Sequence, residues 1–108
     1  MIESMLAITP QELADWKKNG EPFQLIDIRE QYEVDTCTIG GHHIPMGEVA
    51  SRLAEIERSM PVIIHCKSGR RSEAVVAYLT RLGYTNVTSL EGGIIGWIDA
   101  IDPTLERY

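Results

Sequence analysis

Apolar residues along this chain fall into two patterns that take turns from one end to the other. Phe23 to Ile28, Val62 to Ile64 and Asn86 to Leu90 are short runs led by aliphatic residues and bounded by polar ones, as expected of strands. Val62-Ile63-Ile64 has no polar interruption, which predicts cover on both faces, as in a parallel sheet. The other stretches carry helical signals. Thr9-Pro10-Gln11-Glu12 reads as a helix start, with Thr9 as cap, Pro10 in the first turn and Glu12 completing a capping box. That helix should run to about Lys18 and stop at Asn19-Gly20. Glu30 to Val34 predicts a helical turn, and Gly40-Gly41 breaks the chain. Met46 to Ser59 has apolar residues at 46, 49, 50, 53, 54 and 56, the spacing of a helix, which Pro61 ends. Arg71 to Leu82 carries Ala74, Val75, Tyr78, Leu79 and Leu82 on one face before Gly83. Gly92-Gly93 predicts a turn, and Ile94 to Ile101 a last short helix ahead of Pro103. Alternating strands and helices predict a small α/β domain with a largely parallel sheet and helices on both faces.

Length and charge narrow the classes. At 108 residues the chain suffices for one domain with its own core, residues 1–108, and is too short for two. No apolar run approaches the roughly 20 residues of a bilayer span, so no membrane partner is expected. Ten Lys and Arg against sixteen Asp and Glu give a net charge of -6, which argues against nucleic acid or anionic lipid as a partner. Any anion site must be local. Two cysteines, Cys37 and Cys66, are too few for a stapled secreted fold, and Met1-Ile2-Glu3-Ser4 lacks the features of a signal peptide. A cytoplasmic location with free thiols is expected.

In parallel sheets ligands collect where strands end and loops lead into helices. After Ile64 the chain reads His65-Cys66-Lys67-Ser68-Gly69-Arg70-Arg71-Ser72, a thiol in a tight turn that opens the next helix. Backbone N–H groups of such a loop and of the first helical turn can all point inward, forming a nest for negative charge. Gly69 supplies backbone freedom, and the helix dipole adds partial positive charge. These amides, with Lys67, Arg70 and Arg71, predict a lowered pKa for Cys66 and a nucleophile at neutral pH. The competing reading is a buried structural cysteine at a strand end. Packing alone does not account for a Lys-Ser-Gly-Arg-Arg neighbourhood.

With the loop stand three further stretches: Leu25-Ile26-Asp27-Ile28-Arg29-Glu30 with Tyr32-Glu33, the Gly-Gly-x-x-Ile-Pro at 40 to 45, and Leu90-Glu91-Gly92-Gly93 with Trp97. On these residues the chain resembles the single-domain rhodanese family of sulfurtransferases over nearly all its length. The resemblance implies a small rhodanese-like domain with a mostly parallel central sheet of about five strands and helices on both faces. Protein tyrosine phosphatases place five residues between the Cys and Arg of their signature, whereas four separate Cys66 from Arg71-Ser72 here. The six-residue loop from Cys66 to Arg71 matches the rhodanese loop and is one residue shorter than that of related dual-specificity phosphatases. The tighter ring suits one added sulfur better than a phosphoryl group.

The resemblance further implies ping-pong transfer without metal or cofactor. Cys66 would take the outer sulfur of thiosulfate or another small anionic donor, then pass it to cyanide, a thiol or a protein acceptor. Loop amides would hold the persulfide, Lys67, Arg70 and Arg71 would attract the donor, and Ser68 and Ser72 would add hydroxyl donors. Residues 40 to 47 depart from the commoner family pattern, Gly-His-Ile-x-Gly-Ala. They are similar to the rhodanese domain appended to some enzymes that adenylylate ubiquitin-like sulfur carriers, a hint of a protein acceptor, although no adenylylation domain lies within these residues. Two other classes stay open for the same thiol: a phosphatase or arsenate reductase, and a non-catalytic module that kept the fold. The intact cysteine argues against the last.

The remaining candidates have plainer readings. Asp27 and Arg29 are expected to form a structural pair, or to bond loop backbone beneath the site, rather than to transfer protons. His65 is expected to orient the loop through a hydrogen bond rather than act as a base. Adjacent His42 and His43 face apart if extended and make a poor metal pair, so loop-edge or solvent-facing roles are expected. Cys37 reads as an incidental thiol, with a role in resolving oxidised Cys66 as the alternative. Glu30 to Asp35 reads as a solvated acidic helix face.

Overall fold

The computed structural model describes residues 7–108. Five strands form one sheet: β1 (Ala7–Ile8), β2 (Gln24–Asp27), β3 (His42–His43), β4 (Val62–His65) and β5 (Val87–Leu90). Their order is β1-β5-β4-β2-β3, and every neighbouring pair is parallel. The helices are α1 (Pro10–Lys18), α2 (Gln31–Thr36), α3 (Arg70–Arg81) and α4 (Gly93–Ala100).

The run read as a strand from Phe23 to Ile28 pairs over Gln24–Asp27, and alternates faces as strands must. Ile26 and Ile28 join Ile64, Cys66, Val75, Val76 and Leu79 in a core under α3, whereas Leu25 joins Ile63, Leu13, Leu90 and Trp97 under α1 and α4. Helices therefore cover both faces, which is why Val62, Ile63 and Ile64 are all fully buried. The start of α1 has the full capping box: the Glu12 amide donates to Thr9 Oγ1 at 3.1 Å, and the Thr9 amide donates to Glu12 Oε1 at 2.9 Å.

Three features depart from the sequence reading. Met46 to Ser59 is not an α-helix; it forms two tighter 3-10 turns, Met46–Ser51 and Leu53–Glu55. Turns of that kind advance about 2.0 Å per residue against about 1.5 Å in an α-helix. They carry the chain from the sheet edge back towards its centre while Val49, Leu53 and Ile56 still reach the α3-side core. Arg52 braces the stretch by donating to Glu48 and Glu55, at 2.9 and 2.8 Å. The other two departures are β1 and β3, each of two residues, too short to show any period. They form because β5 and β2 would otherwise present unpaired edges.

After β2 the chain turns outward to β3, and after β4 it turns the opposite way to β5. The C-terminal ends of β2 and β4 thus flank a topological switch point, where parallel sheets open a crevice.

Candidate active site

Residues 66 to 69 connect β4 to α3 at that switch point. Gly69 caps α3 with φ +105°, a left-handed conformation that turns its amide back towards the strand end. The Gly69 N–H lies 3.2 Å from Cys66 Sγ, and the Ser72 N–H lies 3.4 Å from it. The thiol lies 3.6 Å from Ser72 Oγ, which is itself tied to the Gly69 carbonyl at 3.1 Å and to Ser89 Oγ at 2.7 Å. Cys66 is buried at 1% exposure, and its adjacent amides converge on the sulfur rather than turning outward. Negative charge on that sulfur therefore meets peptide dipoles already in place.

The loop is held from below by α4. Ile94 N–H donates to the Cys66 carbonyl at 2.8 Å, and Ile95 N–H to that of Lys67 at 3.1 Å. This contact needs Gly93: a Cβ there would lie 2.4 Å from the Lys67 carbonyl oxygen, and the residue has φ +61°. The turn expected at Gly92-Gly93 is thus part of the site.

The loop cations are not equivalent. Arg71 donates to both oxygens of Glu33, at 2.8 and 2.9 Å. Paired in this way, Glu33 is lowered to about 2, chiefly by Arg71 and against its burial, and Arg71 is raised by the carboxylate. The expectation of a solvated face from Glu30 to Asp35 fails at Glu33, which is 3% exposed. The one sequence signal for it is Glu33 within the stretch after β2, which the topology brings beside a basic loop. Among the described residues neither Lys67 nor Arg70 forms an ion pair; Arg70 and Ser68 are exposed at the rim, and Lys67 Nζ sits 4.5 Å from the Tyr108 ring centre. No signal in the sequence assigns Ser89, within the strand predicted over 86 to 90, or Tyr108 to the site.

Asp27 and Arg29 form a buried pair, with Arg29 Nη2 to Asp27 Oδ2 at 2.8 Å. Arg29 also donates to the Cys37 carbonyl at 2.8 Å and to that of Glu33 at 3.3 Å, so the backbone it braces is that of α2 and not that of the Cys66 loop. Burial pushes Asp27 up, but the Arg29 hydrogen bonds and the nearby His65 win and lower it. The hydrogen bond expected of His65 is absent. It is fully buried with neither ring nitrogen partnered, and its Nε2 lies 3.7 Å from Asp27 Oδ2. Burial outweighs the pull of Asp27 and lowers His65 to about 4, so it is neutral at physiological pH.

His42 and His43 separate as expected of adjacent strand residues. His42 meets Glu55 at 2.6 Å near solvent, and His43 meets the Arg29 carbonyl at 2.6 Å. Cys37 packs with Ile94 and Ile98, whereas Cys66 belongs to the cluster under α3. No His, Cys, Asp or Glu cluster suited to a metal occurs among the described residues, and no described helix is long and apolar enough to cross a membrane.

Fold and site together define a parallel α/β domain whose central strand delivers a cysteine into a cup of peptide N–H groups. Residues 9–100 match the rhodanese-like domain, and the chain belongs to that family. It is 40% identical over 88 residues to a sulfurtransferase of Allochromatium vinosum, covering 81% of this chain and 78% of that protein. It is 34% identical over 104 residues to the probable adenylyltransferase/sulfurtransferase MoeZ of Mycobacterium tuberculosis. That match covers 94% of this chain but only 26% of MoeZ, so the chain spans about a quarter of that relative's length. Among solved structures, a rhodanese-like domain protein from Staphylococcus aureus superposes with a TM-score of 0.80 at 30% identity, covering 96% of this chain and 99% of that one. Sulfur transfer is the general activity this kinship supports.

Proposed function

We propose that the domain transfers sulfane sulfur through a persulfide on Cys66. The observation that carries the reading is the pair of inward amides, Gly69 and Ser72, at 3.2 and 3.4 Å from a thiol inside a six-residue loop. In the first step the Cys66 thiolate attacks the outer sulfur of thiosulfate. The new S–S bond forms as the bond to the sulfonyl sulfur breaks, and sulfite leaves with the electron pair. In the second step a nucleophile takes that outer sulfur, and the electron pair of the S–S bond returns to Cys66. With cyanide the product is thiocyanate. Charge on the terminal sulfur is held by fixed amides, as in an oxyanion hole. Lys67 and Arg70 attract the donor, and Arg71, neutralised by Glu33, shapes the loop. Ser72 positions the sulfur through its amide, and Ser68 lies at the entrance.

The test is intact mass after incubation with thiosulfate. The protein should gain one sulfur atom, cyanide or dithiothreitol should remove it, and Cys66→Ser should gain none. Wild type without the added sulfur, or a Cys66→Ser variant that keeps it, overturns the reading. The kinship with MoeZ, together with the Gly-Gly-x-x-Ile-Pro stretch, favours a protein among the acceptors. Capture of a specific protein by the loaded domain, lost with Cys66→Ser, is the expected result.

A further inference from the structure

Tyr108 lies beyond the stretch that matches the family, yet it touches three groups around the Cys66 loop. Its hydroxyl donates to Glu33 Oε2 at 2.8 Å and accepts from Arg29 Nη1 at 3.0 Å. The same Glu33 oxygen takes Arg71 Nη2 at 2.9 Å. The ring face lies 4.5 Å from Lys67 Nζ, an attractive contact for an ammonium with no ion-pair partner among the described residues. The ring in turn rests against the cluster of Cys37, Ile94 and Ile98, so it is anchored to the helix that holds the loop from below. Burial, with a smaller push from Glu33, raises the phenol to about 12, and it stays protonated as a donor at neutral pH.

We infer that Tyr108 is a positioning residue for the anionic donor: its ring fixes the Lys67 ammonium at the rim of the Cys66 loop. A free lysine side chain samples many rotamers, so its charge is spread over the rim. Held over an aromatic face that is itself packed against Ile94 and Ile98, it presents that charge at one place. The inference rests on the reading of Cys66 as the reacting thiol, but not on sulfur being what it transfers.

The experiment compares alkylation of Cys66 by anionic iodoacetate and by neutral iodoacetamide, followed on the peptide that contains Cys66. The ratio of the two rates reports the cations at the entrance and cancels general changes in thiol reactivity. It should fall about five-fold in Lys67→Met and about as far in Tyr108→Leu, the size expected of one unit charge moved away at a hydrated site. The double variant should fall no further than Lys67→Met, because both changes remove one interaction. Tyr108→Phe keeps the ring and should return the ratio to within about two-fold of wild type. An unchanged ratio in Tyr108→Leu, additive losses in the double variant, or Tyr108→Phe falling as far as Tyr108→Leu would overturn the inference. Lys67 side-chain protons should also show an upfield ring-current shift in wild type and Tyr108→Phe; its absence in wild type overturns the inference even where Tyr108→Leu does not fold. A wild type that shows the shift and the ratio but takes no sulfur from thiosulfate overturns the sulfurtransferase reading alone.

Discussion

The Cys66 loop is supported on two sides by different means. Below, α4 supports it with backbone alone: the Ile94 and Ile95 amides on the Cys66 and Lys67 carbonyls, at a distance only glycine at 93 permits. At the rim, side chains from three separate regions meet, as Arg71 pairs with Glu33 and Tyr108 bridges Glu33 to Arg29. The lower support is steric and short-ranged and tolerates no added atom. The rim is electrostatic and partly hydrated, so its contribution is graded and screened. The position of the sulfur is thus set by the backbone, while the charge around it is set by side chains that can be altered one at a time.

The largest effect should come from breaking the lower support. Gly93→Ala places a methyl against the Lys67 carbonyl in a left-handed conformation, a loss of about 3 to 5 kcal/mol in urea denaturation. Because the loop must then shift, sulfur loading should slow about 100-fold in whatever fraction folds. A variant with wild-type loading would show that the contact is dispensable.

Next comes His65, which β4 places on the α1 and α4 face with Ile63. It titrates near 4 in the fold against 6.5 in the unfolded chain, so over that window the unfolded state binds more protons and stability falls as pH drops. The loss by pH 4 should be roughly 3 kcal/mol, and His65→Leu should flatten the curve between pH 6.5 and pH 4. Glu33, held near 2, adds its own loss only below about pH 4.5. Urea midpoints across pH measure both, and a His65→Leu curve as steep as wild type would remove this assignment.

The rim should give less. Glu33→Gln removes the carboxylate that Arg71 and Tyr108 share, and with Arg71 one-third exposed the cost should be about 2 kcal/mol, discounted from that of a fully buried pair. Donor kcat/KM should fall more than acceptor kcat/KM, since ping-pong kinetics reads each half-reaction separately. Equal falls in both would make Glu33 a merely structural residue. The smallest effect is the control: Thr9→Ala removes the hydroxyl that caps α1 at the Glu12 amide, for about 1 kcal/mol with sulfur loading unchanged.

The backbone half of this site is legible in the sequence, and most of the side-chain half is not. The His65 to Ser72 stretch, the Gly92-Gly93 turn and the strands on either side are local patterns, visible because turns, caps and buried strands restrict which residues can occupy them. Glu33 reads as solvated because α2 is too short to show which face it buries. Tyr108 carried no signal, since its partners Arg29 and Glu33 lie 79 and 75 residues away. The stretch after Pro45 has the apolar spacing of an α-helix, and the distance it had to span drew it out into two 3-10 turns instead.

What the chain determined alone was the alternation of elements, the capped start of α1, and a thiol placed between a buried strand and a helix N-terminus. Each depends on neighbours within a few residues, where sterics and peptide hydrogen bonding leave few choices. The meeting of distant segments in the fold is what neutralises Arg71, holds Lys67 by an aromatic ring, and leaves His65 buried without a hydrogen-bond partner. Charges act across space, and no local pattern records which distant groups the sheet order will bring together.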